Sequence, residues 1–540
     1  MKHESPETLT LDGGTATAAD RQASAGAQAR QAEAASHESR ESRVSHESDG
    51  SHASDASHEP HEPHASPAPA ASATSHTPQT LAALLALQRE AYLREPYPAW
   101  EVRASHLKAL RDVLFAHREA FAQAMNADFG QRSPGEVALA EFVALKQEIE
   151  HALKHGARWM KPQRRAVGKW LLPGRARVVP QPLGVAGIVV PWNYPLLLAA
   201  GPLVCALAAG NRAIVKMSEL TPRTSALLEE LIGKTFARDH VAVVNGDAGV
   251  GAAFSALPFD HLLFTGSTRV GHEVMRAAAA NLTPVTLELG GKSPALIGEH
   301  ARFDYAVDSL LLGKTLNAGQ TCIAPDYVLV PRGREAAFVA RARTRFAQLY
   351  PRFETNGDYT SIISPRHFER LQRLADEAQR LGAQLHALGT HDAATRRFAP
   401  VIVTNASDAA ALMQEEIFGP ILPLVPYDTL DDALRYVNAR PRPLALYLYA
   451  DDARTVDRVT RETVAGGMSV NETLMHIVAQ GLPFGGVGAS GMGAYHGYDG
   501  FVTFSKMKPV FTQARLNARK LIAPPYGRVF DLLMKLMLKR

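Results

Sequence analysis

Hydrophobic positions along the chain change their spacing three times. From residue 79, in "QTLAALLALQREAYLREPYPAWEVRASHLKALRDVLFAHREAFAQAM", they recur every three or four residues. That spacing predicts helices leading into a folded body, with Thr77-Pro78 as a helix start. Next, "GVAGIVVPW" (184–192) is a buried strand and "PLLLAAGPLVCALAAG" (195–210) an apolar helix closed by glycine. "NRAIVKM", "VAVVNG" and "HLLFTG" read as strands, and "TPRTSALLEELIGKTF" and "STRVGHEVMRAAAA" as helices. Such alternation predicts a parallel sheet covered on both faces. A second mixed α and β series starts at "SPALIG". In "PFGGVGASGMGAYHGYDGF" (483–501) glycine is dense enough to weaken any helix or strand, which predicts a backbone-dominated loop.

The two ends differ from this body. Residues 1–78 are Ser, His, Glu, Pro and Ala with almost no large apolar side chain. Such a segment cannot bury enough surface to offset its ordering entropy, and a disordered tail is expected. The histidines of its repeated Ser-His and His-Glu pairs (His37, His46, His52, His58, His61, His64) admit weak metal binding as a second reading. At the other end "GRVFDLLMKLMLKR" is apolar with Arg528, Lys535, Lys539 and Arg540 interspersed. It falls short of the ~20 residues a bilayer span requires. A helix packed on the protein or a partner subunit, or one lying in a membrane surface, remains open.

Composition narrows the classes. Apolar residues make up 46% and charged residues 21% of 540, as in a soluble globular protein. The net charge of +4 with no basic-aromatic clusters argues against nucleic acid. Two cysteines exclude a disulfide framework or a Cys-rich metal site, and no metal is expected. A reducing, cytoplasmic location follows as the default. The first residues lack the apolar core of a secretory signal.

The candidate chemistry lies at the ends of the expected strands. "LLFTGSTRVGHEV" runs from a strand through Gly266 and Ser267 into a helix, where free N–H groups and the helix dipole hold an anion. It is not GxGxxG, and many strand–helix turns carry two glycines without a ligand. Asn193 in "VPWNYP" fits an oxyanion donor or a plain turn residue. Glu288 in "VTLELGGKSP" sits in an apolar stretch, where a carboxyl has a raised pKa suited to a general base; the alternative is an exposed face of a strand. Cys322 in "NAGQTCIAPD" lies in a Gly- and Pro-flanked loop, accessible as a nucleophile, whereas Cys205 in "LVCALAAG" is expected to be packing.

Together "PWNYP", "LELGGKSP", "GQTCIAP", "EEIFGP" and "PFGGVGASG" resemble the aldehyde dehydrogenase superfamily in order and spacing, over roughly residues 80–515. "GQTCIAPDYVLV" and "GASGMGAYHGYDGFVTFS" are similar to its class 3 branch, and "APPYGRVFDLLMKLMLKR" to the bacterial coniferyl-aldehyde dehydrogenases within that branch. The resemblance implies NAD(P)-dependent oxidation of an aromatic or a medium- to long-chain aliphatic aldehyde to the acid, through a thiohemiacetal and a thioester on cysteine. It implies Cys322 as nucleophile, Glu288 as the group that activates water, and Asn193 as oxyanion donor. For the cofactor it implies Trp192, Lys216 and Glu219, the run Gly266, Ser267, Thr268, Arg269, Val270 and Gly271 at the pyrophosphate, and Glu416 and Phe418 at the nicotinamide. A carboxylate at Glu219 beside the adenosine ribose favours NAD, with NADP possible.

The fold expected is α/β with two Rossmann-like domains and a small β oligomerisation element. Residues 79–174 and 184–288 form the NAD(P)-binding domain, 289–482 the catalytic domain, 175–183 and 483–515 the oligomerisation element, and 516–540 the amphipathic tail. "RARVVPQP" and the segment after the glycine loop are expected to pair across a homodimer. Three rival readings are a CoA-acylating dehydrogenase, a non-enzymatic protein on this fold, and a cysteine hydrolase. Glu288 speaks against the first, the intact Cys322, Glu288 and Asn193 against the second, and the absence of a nearby histidine in the sequence against the third.

Overall fold

The computed structural model describes residues 77–539, so the expected N-terminal tail lies outside the described residues except for its last two positions. Those two correct its boundary: the first helix already begins at Pro78 (Pro78–Arg94), with the Thr77 hydroxyl accepting from the Thr80 N–H. Proline suits a first helical turn, where its missing N–H costs nothing.

Among the described residues sixteen strands follow: β1 (Gln163–Arg165), β2 (Arg175–Pro182), β3 (Val185–Val189), β4 (Arg212–Lys216), β5 (Val241–Val244), β6 (His261–Thr265), β7 (Val285–Glu288) and β8 (Pro294–Ile297). Beyond them lie β9 (Tyr327–Pro331), β10 (Gln384–Ala387), β11 (Val401–Thr404), β12 (Ile421–Tyr427), β13 (Ala445–Tyr449), β14 (Gly467–Val470), β15 (Gly491–Met492) and β16 (Ser505–Thr512). They form three sheets. The first has order β15-β7-β6-β3-β4-β5, the second β10-β11-β12-β9-β8-β13-β14, the third β1-β2-β16. The first is parallel apart from β15 and the second apart from β10. The two α/β sheets read from the sequence are therefore present, and β8 to β14 all fall within 289–482.

Strands buried on both faces read as continuous apolar runs, which is why β6 and β8 are buried throughout. The helix Leu197–Ala209 is buried on all but one position and stops at Gly210, whose φ of 91° suits glycine. Cys205 lies inside it, packed as expected.

Two expectations are corrected. Residues 483–501 are not wholly loop. Gly491 and Met492 form β15, antiparallel to Glu288 and Leu287, and a helix spans Gly497–Thr503. A Cβ on Gly491 would lie 2.0 Å from the Leu287 carbonyl oxygen, so glycine here permits strand contact. This part of the supposed oligomerisation element thus completes the first sheet. Moreover, β2 and β16 pair with each other inside one chain, Arg175–Pro182 against Ser505–Thr512, rather than across a partner. At the C-terminus the helix Arg528–Leu538 has no buried residue. Among the described residues no helix is long and apolar enough to cross a membrane.

Candidate active site

β7 ends on Glu288, and the chain turns through Gly290-Gly291 directly into β8. The carboxyl edge of the first sheet therefore abuts the amino edge of the second, and the candidate residues gather at that seam. Cys322 and Glu288 line one cavity of 320 Å³, walled chiefly by apolar side chains such as Leu197, Ile477 and Phe484. A groove of 940 Å³ runs along the carboxyl ends of β3, β4 and β6, lined by Trp192, Lys216, Glu219, Gly266, Ser267, Arg269 and Val270 among others. Thr265 lines both.

Cys322 is half-buried at the cavity wall. Burial, with the carboxyl groups of Glu416 and Glu288, pushes its thiol up to about 12, while the N–H groups of Cys322 and Ile323 pull the other way. Near neutral pH the Cys322 thiol therefore keeps its proton. Glu288 is 2% exposed, and neither carboxyl oxygen has a hydrogen-bond partner among the described residues. Burial alone lifts it well above the usual carboxylate range. It is not on an exposed strand face.

Asn193 is pinned rather than merely turning the chain. Its Nδ2 donates to the Gln320 carbonyl at 3.1 Å, leaving its second N–H available. Its carbonyl accepts from Arg132 Nη1 at 2.8 Å and Asn317 Nδ2 at 3.1 Å. The loop before Cys322 is strained: Asn317 and Ala318 both have φ of 51°, and Gly319 has 72°. Such left-handed non-glycine residues persist only where their surroundings hold them. Glu136 accepts from the Asn317 N–H at 3.0 Å, and the Gln320 side chain bonds to Asn317 O, Ser361 O and Ile363 N. A Cβ on Gly319 would lie 2.5 Å from the Gly419 carbonyl oxygen, so this loop touches the "EEIFGP" loop.

That second loop is clamped in turn. Lys292 donates to the Asp326 carboxylate, to Leu412 O at 2.7 Å and to Glu415 O at 3.0 Å, and Asp326 accepts from the Ile417 N–H. The Glu416 carboxylate occupies the space a Cβ on Gly290 would fill, 2.1 Å from its Oε2. Burial and Asp326 push Glu416 up to about 8 against the Gly291 N–H, Lys292 and Arg370. Phe418, at φ 50°, meets the Trp192 ring edge-on at 5.4 Å between centroids.

The groove departs in detail from the expected cofactor run. The Gly266 N–H is taken by the Glu288 carbonyl at 3.0 Å, so free donors begin at Ser267. Ser267 caps the helix Thr268–Ala279 through the Val270 N–H. Thr268 and Gly271 are not among the lining residues: the Thr268 hydroxyl bonds to Ala489 O, and a Cβ on Gly271 would meet Leu289 at 2.7 Å. Lys216 is buried, which lowers its pKa, and its Nζ holds Met217 O and Gly246 O. A helix N-terminus, a lysine and an exposed Glu219 along one groove suit a dinucleotide's phosphates and ribose. Among the described residues no group of three or more His, Cys, Asp or Glu can hold a metal.

Arg132, Glu136, Gln320, Lys292 and Asp326 escaped the sequence reading, although "GQTC" and "GGKSP" contain two of them. Their partners lie far along the chain, and only the fold brings them together.

The aldehyde dehydrogenase family profile matches residues 55–510. A probable coniferyl aldehyde dehydrogenase of Pseudomonas aeruginosa is 53% identical over 83% of this chain and 94% of its own length. The coniferyl aldehyde dehydrogenase of a Pseudomonas species is 45% identical over 85% and 96%. Among solved structures, a substrate-bound AldH of Staphylococcus aureus superposes with a TM-score of 0.81 at 35% identity, over 84% of this chain and 99% of that one. A Mycobacterium tuberculosis aldehyde dehydrogenase complexed with NAD+ gives 0.73 at 28%, over 81% and 90%. The chain belongs to the aldehyde dehydrogenase family. Its reaction is the NAD(P)-dependent oxidation of an aldehyde to the carboxylic acid.

Proposed function

We propose that Cys322, Glu288 and Asn193 carry that reaction, and that its substrate is an aryl aldehyde of the coniferyl type. The observation that carries the assignment is the shared wall: the one half-buried thiol and an unpartnered carboxyl face a single apolar cavity. In this reading Cys322 adds to the aldehyde carbon, and the free Asn193 N–H and the Cys322 N–H meet the oxyanion. The thiol's high pKa means attack requires its proton to be taken up, and Glu288 and Glu416 are the carboxyls facing it. A bound nicotinamide supplies the hydride acceptor. A thioester then remains on Cys322, and Glu288 takes a proton from the water that opens it. Trp192, Lys216, Glu219 and the Gly266–Val270 turn bind the dinucleotide, with Glu416 and Phe418 beside its reactive end. Glu219 favours NAD over NADP.

The choice of an aryl aldehyde rests on the named relatives and on the largely apolar cavity, which suits a planar ring. The domain boundaries we propose are those read from the sequence, with the folded body beginning at Pro78 and 491–492 transferred to the cofactor sheet. We place the protein in the cytoplasm as a homodimer joined at the open edge of β16, with the exposed helix Arg528–Leu538 against the partner rather than a membrane. Reduced-nicotinamide absorbance with a panel of aryl and aliphatic aldehydes tests the substrate class: higher kcat/KM for the aryl series supports it, and a preference for aliphatic chains rejects it.

A further inference from the structure

The cavity at Cys322 is mostly apolar, yet three polar side chains line it without an evident internal purpose: Glu148, Gln480 and His496. Glu148 is 3% exposed and meets no cation among the described residues; its Oε1 accepts from the Cys205 thiol at 3.7 Å. A Cβ on Gly201 would lie 2.8 Å from Glu148 Oε2, so the helix Leu197–Ala209 leaves a notch for this carboxyl. His496 is 5% exposed with its Nδ1 unpartnered, and the Gln480 Oε1 is likewise buried and unpartnered.

The three belong to one region of the wall. The Cys205 thiol that touches Glu148 also receives the His496 N–H. The Gln480 carbonyl oxygen presses on Gly497, next to His496, at 2.2 Å from where a Cβ would be. Burial lifts Glu148 to about 7 and lowers His496 to about 4. Near neutral pH the imidazole is uncharged, and many of the carboxyls keep their proton. The cavity wall then offers an O–H donor, a vacant amide acceptor and an unpartnered ring nitrogen, a set that can complement a hydroxyl group. Buried polar atoms left without partners are unfavourable, so such a set is expected where a ligand completes it.

We infer that Glu148, Gln480 and His496 form a subsite that hydrogen-bonds a hydroxyl on the body of the substrate, selecting hydroxylated over plain cinnamaldehydes. The inference rests on the aryl-aldehyde reading above. Neither Cys322 nor Glu288 chemistry requires these residues, so their effect is on which aldehyde is chosen rather than on how it reacts.

The test uses full-length enzyme with NAD and two substrates that differ only by the group in question, cinnamaldehyde and 4-hydroxycinnamaldehyde. Wild type is expected to favour the hydroxylated one by about tenfold or more in kcat/KM, since a site built for a hydroxyl is left unpaired by its analogue. In Glu148→Leu that preference should fall about tenfold, mainly through KM, and Glu148→Gln should keep part of it. Gln480→Leu is the second probe should Glu148→Leu fail to fold, and should lower the preference severalfold. A wild-type ratio near one, or a ratio unmoved in the variants, overturns the subsite while leaving the aryl-aldehyde function intact. Wild type that oxidises hexanal but neither cinnamaldehyde shows instead that the substrate class was misread, and the subsite falls with it.

Discussion

The first and second sheets have the same parallel architecture but work from opposite edges. In the first, the groove lies at the carboxyl ends of β3, β4 and β6, the usual place for a ligand in such folds. In the second, the reactive loops precede their strands: Gly290–Ser293 before β8, Cys322 before β9 and Glu416 before β12. The carboxyl edge of that sheet instead bears a separate cavity of 810 Å³, lined by Glu299, Tyr427 and Asp451 among others. The cause is the short link from β7 to β8, which sets a carboxyl edge against an amino edge. The electrostatic consequence is opposite on the two sides of the seam. The groove receives the N-terminus of the helix Thr268–Ala279, favourable to anions. The Cys322 loop follows the C-terminal end of the helix Phe303–Thr315 and faces two carboxyls, unfavourable to a thiolate. One side of the seam suits an anionic ligand, while the other keeps the thiol protonated.

The most severe way to break this division of labour is Cys322→Ala. Removing the proposed nucleophile should lower aldehyde oxidation by at least about 10⁴-fold. NAD binding, measured by quenching of tryptophan fluorescence, should persist because the groove belongs to the other sheet. Loss of both would mean that the two edges are not separable.

Glu288→Gln should reduce steady-state kcat by roughly 10²–10³-fold while rapid mixing still shows a burst of reduced cofactor. Disappearance of the burst would place Glu288 at thiol deprotonation instead. The same variant tests burial. A carboxyl whose folded-state pKa is raised binds its proton more tightly in the folded protein. Its contribution is present at low pH and is lost as pH rises from the ordinary carboxyl value toward the raised one, by at most about 1.4 kcal/mol per pH unit. Glutamine cannot ionise. Relative to wild type, Glu288→Gln should therefore gain melting temperature as pH goes from 5 to 8, and a constant difference would contradict the buried, unpartnered carboxyl.

These two residues were legible in the sequence because their signals are local: a thiol in a Gly- and Pro-flanked turn, a carboxylate in an apolar run. The βαβ alternation was legible for the same reason, since a strand buried on both faces needs a continuous apolar stretch. What stayed hidden is held by distant partners. Arg132 reaches Asn193 across 61 positions and Glu136 reaches Asn317 across 181. β15 looked like loop because glycine weakens isolated strands, yet Gly491 is what lets that segment lie against β7. The β2–β16 pairing was read as crossing a dimer because nothing in two separate strand segments says which chain closes the ladder.

On the cofactor side the carboxylate at Glu219 is the sharpest probe. It is exposed, so its repulsion of a 2′-phosphate is screened by salt, and the effect is modest. Glu219→Ala should move the NAD-to-NADP ratio of kcat/KM about tenfold toward NADP at low ionic strength, and less at 0.5 M salt. An unchanged ratio would show that the ribose is read by other residues.

The smallest effect belongs to the edge that no reaction uses. Glu299 is exposed after β8 and lines the 810 Å³ cavity, at the position where a ligand would sit if both sheets worked alike. Its charge lies beyond the opposite end of β8 from the reactive loop, with the buried strand between them. Among the described residues it is in no ion pair, and its charge adds to burial in raising the pKa of the Tyr427 hydroxyl, so its loss leaves no cation stranded. Exposed substitutions of this kind change stability by no more than about 0.5 kcal/mol. Glu299→Ala should accordingly leave kcat/KM within about twofold of wild type and the NAD affinity unchanged. A tenfold loss would show that the carboxyl edge of the second sheet communicates with Cys322, and the opposition between the two edges would have to give way to a site that spans the whole sheet.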